Sequence, residues 1–166
     1  MALVAIGRNA CSCAARLMSR SSPVITSLQK YRHFSLSSRS YSERFYNKSH
    51  EWISLSNGVG TIGISDYAQD AIGEIVFVSL PDIGTELKIG QQCGEIESVK
   101  SVSELYSPMS GTVIETNSVV TDEPSQINAS PYENGWLMKI EVSDKNESNE
   151  LMPETAYQEF LTTFEH

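Results

Sequence analysis

The chain has 166 residues and a formal net charge of −9, and the charge divides sharply at about residue 42. Residues 1–42 contain six basic residues and no acid, whereas residues 43–166 contain six basic residues against 21 acids. Residues 43–166, called the body below, are acidic enough to repel phosphate backbones and anionic lipid. This argues against nucleic acid and membrane surfaces as partners and favours proteins with basic faces. Its length is enough for a single modest core, so we expect one domain.

Residues 1–42 have the composition of an organelle-targeting segment. They include ten serines, and Arg8, Arg16 and Arg20 are spaced four or eight positions apart. This pattern is typical of mitochondrial or chloroplast transit peptides. The sites after Arg32 and Arg39 resemble the arginine-directed cleavage sites of mitochondrial precursors. We therefore interpret residues 1–41 as a mitochondrial transit peptide and residues 42–166 as the mature domain; a retained basic tail is the alternative.

The body begins with a predicted hairpin. Glu51–Leu55 alternates between two faces and stops at Asn57-Gly58, the strongest short hairpin signal, and Val59–Ile64 follows as the partner strand. Gly60 and Gly63 interrupt that strand and indicate close approach of another group to the backbone.

A short helix and a strand are predicted next. Ser65 or Asp66 provides the N-cap of the helix, and Gly73 closes it in the left-handed conformation. Ile75–Leu80 then reads as a buried strand, and its apolar run is far too short to cross a bilayer. Cys93 is the only cysteine of the body, so a disulfide within the body is excluded. This fits a reducing compartment. We interpret the Cys93 thiol as a small buried hydrophobic group.

The second half of the body continues the strand pattern. Cys93–Val99 and Thr112–Thr116 are predicted strands, residues 117–135 form a long polar connection, and Trp136–Val142 is a further strand. A C-terminal helix follows, with Pro153 in its first turn. Its apolar stripe consists of Ala156, Tyr157, Phe160, Leu161 and Phe164. These elements predict a mainly β fold, a flattened β-barrel or sandwich with a short internal helix and C-terminal helices.

The candidate functional residue is Lys100. It lies in the middle of the nearly mirror-symmetric stretch Glu97–Glu104, and no other basic residue occurs within ten positions. Glycine, asparagine, aspartate and proline are absent around it, so local rules predict no tight turn there. From these residues alone, a solvated surface charge and a functional lysine are both open.

Seven motifs occur in a fixed order between residue 49 and residue 137. They are Ser49-His50-Glu51-Trp52, Ile62-Gly63-Ile64-Ser65-Asp66-Tyr67-Ala68-Gln69, Gly73-Glu74-Ile75-Val76-Phe77-Val78, Glu97-Ser98-Val99-Lys100, Ser107-Pro108-Met109-Ser110-Gly111, Asn128-Ala129-Ser130-Pro131-Tyr132 and Gly135-Trp136-Leu137. Together they resemble the glycine cleavage H-protein family of lipoyl carriers, and the similarity runs from about Tyr46 to the C-terminus. With this resemblance, a functional lysine becomes the favoured interpretation of Lys100.

The resemblance implies a carrier function. In that family the lysine at the position of Lys100 is amide-linked to lipoic acid at the tip of a hairpin, and the dithiolane supplies redox chemistry that no side chain provides. Glycine decarboxylase, which contains pyridoxal phosphate, loads an aminomethyl group. A folate-dependent aminomethyltransferase removes it, and the flavoenzyme dihydrolipoyl dehydrogenase reoxidises the dithiol. A lipoyl-attaching enzyme and a non-catalytic carrier role are implied as well. Together with the leader, the resemblance leads us to expect a location in the mitochondrial matrix.

Three further site residues follow from the same resemblance. Ser49, Glu51 and Glu104 match positions where the family shelters the loaded arm in a surface cleft. Carboxylates near a protonated amine on that arm stabilise it. We expect no metal in the site.

Two other classes of protein fit the sequence less well. A lipoyl or biotin carrier domain of another multienzyme complex usually has Asp-Lys-Ala or Met-Lys-Met around its lysine, whereas this chain has Val99-Lys100-Ser101. A free-standing enzyme is disfavoured because no nucleophile elbow, phosphate loop or metal-ligand cluster is present in the sequence. His50 beside Glu51 is interpreted as a polar contact at the entry to a strand.

Overall fold

The computed structural model of the chain describes residues 43–163. The strands are β1 (Arg44–Tyr46), β2 (Glu51–Ser56), β3 (Val59–Ile64), β4 (Ile75–Ser79), β5 (Glu86–Leu87), β6 (Gln92–Ser98), β7 (Val102–Tyr106), β8 (Gly111–Thr116), β9 (Met138–Val142) and β10 (Met152–Pro153). The α-helices are α1 (Asp66–Ile72), α2 (Ser118–Asp122), α3 (Ser125–Ala129) and α4 (Glu154–Thr162), and Lys145–Glu150 forms a 3-10 helix. The leader and Phe164 lie outside the described residues.

The strands form two antiparallel sheets. The larger has the order β10-β1-β2-β3-β9-β8-β5 and the smaller the order β4-β6-β7. Side chains of both sheets meet in one core, in which Ile53, Ile96 and Ile140 are each 0% exposed. The mainly β prediction is therefore confirmed in its sandwich form, because the sheets of the described part are not closed into a barrel.

The first hairpin has the predicted geometry. Asn57 and Gly58 have φ angles of 52° and 87°, the positive values that a two-residue turn between twisted strands requires. The close approach expected at the strand glycines is also present, since a methyl group on Gly63 would lie 2.6 Å from the Trp52 ring. The Trp52 indole N–H donates to the Ile64 carbonyl at 2.8 Å, which fixes the ring across the strand.

Helix α1 begins as predicted and ends differently. The Ser65 hydroxyl accepts from the backbone N–H of Ala68 at 3.2 Å and caps the helix. Gly73 ends it, but with φ 86° and ψ −149°, so the predicted left-handed geometry is wrong. This combination of angles is open only to glycine because other residues carry a Cβ.

Strand β4 is not the buried strand that its apolar sequence predicts. Val76 and Phe77 are 51% and 49% exposed. The reason is that β4 is an edge strand of the three-stranded sheet and its register shifts between Ile75 and Phe77, which turns two consecutive side chains outward. Hydrophobic composition indicated the strand but not which of its faces the core covers.

The long connection between β8 and β9 contains the two short helices α2 and α3, which the sequence did not predict. Asn117 caps α2 by accepting from the Val119 N–H at 3.1 Å. Each helix has only five residues, so helical periodicity is barely visible in the sequence. Their buried residues, Val120 and Ile127, are both 0% exposed.

The C-terminal helix packs on the sheet, as predicted. Tyr157 of α4 is 1% exposed and stacks on Tyr46 of β1, with ring centroids 4.1 Å apart. Cys93 is a free, buried thiol, as its interpretation required. Within residues 43–163, helices long and apolar enough to span a bilayer are absent.

Candidate functional site

Lys100 lies at the tip of the β6–β7 hairpin, and Ser98 builds that tip. The Ser98 hydroxyl accepts from the backbone N–H groups of Lys100 and Ser101 at 3.2 and 3.1 Å. The Ser98 N–H donates to the Ser101 carbonyl at 2.8 Å. A serine side chain thus takes the place of the glycine or asparagine that turn rules require, which is why those rules missed the hairpin. Lys100 itself is exposed.

The tip is also tied to the turn between α1 and β4. The Val99 N–H donates to the Glu74 carbonyl at 3.2 Å. Asn128 of α3 holds the same turn, because its amide nitrogen donates to the Gly73 carbonyl at 2.9 Å and its amide oxygen accepts from the Ile75 N–H at 3.1 Å. The lysine is therefore exposed while the backbone that carries it is fixed.

Strand β7 leads from Lys100 to the predicted acidic residues. Glu104 is exposed and lies directly opposite Glu95 on β6, a pairing of like charges that destabilises a sheet. The Tyr106 hydroxyl donates to the Glu104 carboxylate. This bond and the charge of Glu104 raise the pKa of Tyr106. Glu104 is four residues from Lys100, roughly 13 Å along an extended strand.

Glu51 is the second acidic residue, and it is buried. Its side chain is 2% exposed, and its Oε1 accepts from the Tyr106 N–H at 2.9 Å. Its other oxygen, Oε2, is the one buried side-chain polar atom of the described residues that has no hydrogen-bond partner. Burial raises the pKa of the Glu51 carboxyl from 4.5 to about 7. A carboxylate in this state gains from any donor that reaches its free oxygen.

Ser49 lines a surface cleft next to these acids. The cleft has a volume of about 500 Å³ and contains Ser49 and Tyr106 on its wall. Its other walls are formed by Tyr46, Asn47, Lys48, Ile89, Gly90, Ser107, Pro108, Glu150, Leu151 and Met152. Glu51 lies two residues from Ser49 and touches the backbone of the wall residue Tyr106.

Tyr106 is the residue that links the predicted acids. Its backbone N–H donates to Glu51 and its hydroxyl donates to Glu104, and its side of the cleft is shared with Ser49. Lys100 is apart from them, at the end of the hairpin. Sequence reasoning missed Tyr106, because a tyrosine in a strand gives no sign of the carboxylates that the fold places beside it.

His50 makes the strand-entry contact that was expected of it. It has a φ of 73°, and its Nδ1 lies 2.8 Å from the Tyr157 hydroxyl, which in turn lies 2.8 Å from the Ser65 hydroxyl. Burial lowers the pKa of His50. The ring thereby connects the start of β2, the cap of α1 and the C-terminal helix, which is a structural task.

Among residues 43–163, groups of His, Cys, Asp or Glu side chains that could hold a metal ion are absent.

The family model for the glycine cleavage H-protein matches residues 44–164. The chain belongs to the glycine cleavage H-protein family. Two similar relatives are the glycine cleavage system H protein of Staphylococcus epidermidis, 48% identical over 72% of this chain and 95% of the relative, and the mitochondrial one of Drosophila melanogaster, 49% identical over 73% and 74%.

A solved structure agrees with this assignment. The H protein of Mycobacterium marinum is 35% identical and superposes with a TM-score of 0.64 over 70% of this chain and 94% of that one. The chain is a lipoyl carrier of the glycine cleavage system, and its cofactor is lipoate attached covalently to a lysine. The alternative, a carrier domain of another multienzyme complex, is not favoured by these relatives.

The described residues fit that cofactor. Lys100 has an exposed primary amine on a fixed hairpin tip. This amine is the nucleophile that an amide link to lipoate requires. The unpartnered Oε2 of Glu51 is a buried acceptor, and Glu51 contacts the cleft wall through the backbone of Tyr106. Lys139 fits less well, because its ammonium bonds to Glu115 at 2.7 Å and lies over the Trp136 ring.

Proposed function

We propose that Lys100 is the lysine that carries lipoate. The observation that supports this most strongly is the hairpin tip, where Ser98 and the bond from Val99 to Glu74 fix the backbone and leave the lysine side chain exposed. A carrier needs an attachment point that enters the active sites of other proteins without unfolding. A rigid hairpin with a long side chain at its end has that property.

Replacing Lys100 tests this proposal. Lys100→Arg keeps the positive charge but lacks the primary amine that forms the amide, so the variant is expected to fold normally and to abolish glycine cleavage in a reconstituted system. Lys88→Arg is the matched control, since Lys88 is also exposed, and it should keep wild-type activity. Glycine cleavage by the Lys100→Arg protein would show that another residue carries the arm.

We propose further that Ser49, Glu51 and Glu104 shelter the arm once it is loaded. Bound lipoate supplies a dithiolane that accepts and releases the aminomethyl group. In this proposal the free oxygen of Glu51 and the exposed carboxylate of Glu104 each accept a bond from a protonated amine, and Ser49 contributes a hydroxyl to the wall of the cleft. Tyr106 positions both acids through its backbone N–H and its hydroxyl.

The chain works with the other components of the glycine cleavage system. We infer that these partners are glycine decarboxylase, aminomethyltransferase, dihydrolipoyl dehydrogenase and a lipoyl-attaching enzyme, and that the chain itself is a non-catalytic carrier. The excess of acids over basic residues supports docking to basic surfaces around their active sites. Purified lipoylated protein should release no carbon dioxide from glycine until the decarboxylase is added, and release in its absence would contradict a purely carrier role.

We place the protein in the mitochondrial matrix, with residues 1–41 as the transit peptide. Two observations support this location: the leader is basic, rich in serine and free of acids, and the similar fruit fly protein is mitochondrial. The mature start near Ser42 also leaves strand β1 intact. Its first residue, Arg44, lies over the rings of Trp52 and Tyr132 at 5.6 and 4.7 Å from their centroids.

A further inference from the structure

Gly73 lies directly against the side chain of Lys100. A methyl group built on Gly73 would lie 3.0 Å from Lys100 Nζ and 3.2 Å from Cε. Both distances are shorter than an ordinary contact between these atoms, which is about 3.5–4.0 Å. A side chain at residue 73 would therefore push the end of the lysine side chain away from the turn between α1 and β4.

The turn that supports the lysine is held from several directions. The Gly73 N–H donates to the Gln69 carbonyl at 2.9 Å, and the Gly73 carbonyl accepts from the Asn128 amide at 2.9 Å. The same Asn128 nitrogen donates to the Gln69 side-chain oxygen at 2.8 Å. The turn is fixed, whereas the lysine side chain is long and flexible. A methyl group at residue 73 would therefore displace the lysine side chain, and it would also strain the turn, because φ 86° and ψ −149° are open only to glycine.

We propose that Gly73 is a positioning residue for Lys100: it leaves room for the lysine side chain against the α1–β4 turn and so favours one position of the amine for the lipoyl-attaching enzyme. This inference rests on the proposed role of Lys100 as the attachment site. Before lipoate is attached, only the lysine side chain reaches into that enzyme. The position of Nζ therefore decides how often Nζ meets the acyl carbon of the lipoyl group.

The reaction that depends on this position is an acyl transfer. The Lys100 amine attacks the carbonyl carbon of an activated lipoyl group, such as the mixed anhydride lipoyl adenylate, from which AMP leaves. One C–N bond forms, and the bond from that carbon to the leaving group breaks. The two protons lost by the ammonium go to solvent or to the leaving group, and nothing is oxidised.

The Gly73→Ala variant tests the proposal. Its methyl group displaces the Lys100 amine, so the kcat of lipoyl attachment, measured with a purified lipoyl-attaching enzyme and lipoyl adenylate, should fall roughly ten-fold while KM stays within about two-fold. Gly58→Ala and Gly84→Ala are controls for a methyl group at a positive φ that is away from Lys100. These glycines have φ angles of 87° and 92°, close to the 86° of Gly73, and a methyl group on either has no neighbour within 4 Å. Both should keep the wild-type kcat.

A second variant and a spectroscopic measurement cover the case in which Gly73→Ala does not fold. Asn128→Asp removes the two bonds that the amide nitrogen donates to Gln69 and Gly73, so it is expected to loosen the turn on which the Lys100 side chain lies. It should lower kcat in the same way. In unlipoylated wild-type protein, a nuclear Overhauser effect between the Gly73 α-protons and the Lys100 ε-protons should be present.

The outcomes separate this inference from the proposed function. Three results would each overturn the positioning role of Gly73. The first is a wild-type kcat in Gly73→Ala or in Asn128→Asp. The others are an equal loss of kcat in the Gly58→Ala and Gly84→Ala controls and the absence of the Overhauser effect. A wild-type protein that receives no lipoyl group on Lys100 would instead overturn the attachment site. The expected pattern is an attached lipoyl group in the wild type and a selective loss of kcat in the two turn variants.

Discussion

The buried carboxyl of Glu51 is expected to make the protein less stable as the pH rises. The folded state raises its pKa from 4.5 to about 7, because the group is 2% exposed and one of its oxygens has no partner. The folded protein thus holds the proton more tightly than the unfolded chain. Below pH 4.5 both states are protonated and no stability is lost; between pH 4.5 and about 7 stability falls, and above pH 7 the loss is complete.

The size of the loss follows from the two pKa values. The interval from 4.5 to about 7 corresponds to roughly 3 kcal/mol at about 1.4 kcal/mol per pKa unit. Glu51→Gln removes the charge, keeps an oxygen that accepts from the Tyr106 N–H, and replaces the unpartnered oxygen by an equally unpartnered amide nitrogen. The variant should therefore be more stable than the wild type at pH 8 by about 2–3 kcal/mol, with little difference at pH 4.5.

Urea unfolding of wild type and Glu51→Gln between pH 4.5 and 8.5 measures this difference. Subtracting the two free energies of unfolding at each pH removes the contribution of the other titrating groups. Glu104→Gln is the comparison variant, because Glu104 is exposed, and its difference from the wild type at pH 8 should be smaller than that of Glu51→Gln. A Glu51→Gln difference that does not depend on pH would refute the argument, as would a wild type that gains stability relative to the variant when the pH rises.

Three further predictions concern the arm, the hairpin and the leader. Glu51→Gln and Glu104→Gln should each hasten nonenzymatic loss of the aminomethyl group by a few-fold, since a carboxylate at a partly screened site holds the amine by about 1 kcal/mol; equal release of formaldehyde and ammonia would remove both from the site. Ser98→Ala should destabilise the protein by about 1 kcal/mol in chemical denaturation, because two tip N–H groups lose their acceptor, whereas Ser101→Ala should not. A reporter carrying residues 1–42 should enter mitochondria and be trimmed near Ser42, and a cytosolic or plastid reporter would contradict the leader assignment.

Elements with their own local signals could be predicted from the sequence. The Asn57-Gly58 turn needs positive φ angles that its residues favour, and the Ser65 cap needs only a hydroxyl three residues before a backbone N–H. The apolar stripe of α4 places Tyr157 against the sheet by helical spacing alone. In each case the residues within a few positions decide the conformation.

Features that depend on distant parts of the chain could not be predicted. The hairpin at Lys100 relies on the Ser98 hydroxyl and on a bond from Val99 to Glu74, which lies 25 positions away in sequence. The exposure of Phe77 follows from the strand order of the sheet, which short-range periodicity does not encode. The resemblance supplied Lys100 and the sheltering acids, whereas the link between those acids through Tyr106 is visible only in the fold.

The central claim is that lipoate is attached to Lys100, and peptide mapping of the mature protein by mass spectrometry tests it most directly. Protein purified from its own compartment, digested with a protease that does not cut at lysine, should carry the mass of one lipoyl group on the peptide that contains Glu97–Glu104, with fragment ions that place it on Lys100. The peptides with Lys48, Lys88, Lys139 and Lys145 should be unmodified. A lipoyl mass on any of those lysines together with an unmodified Lys100 would contradict the account.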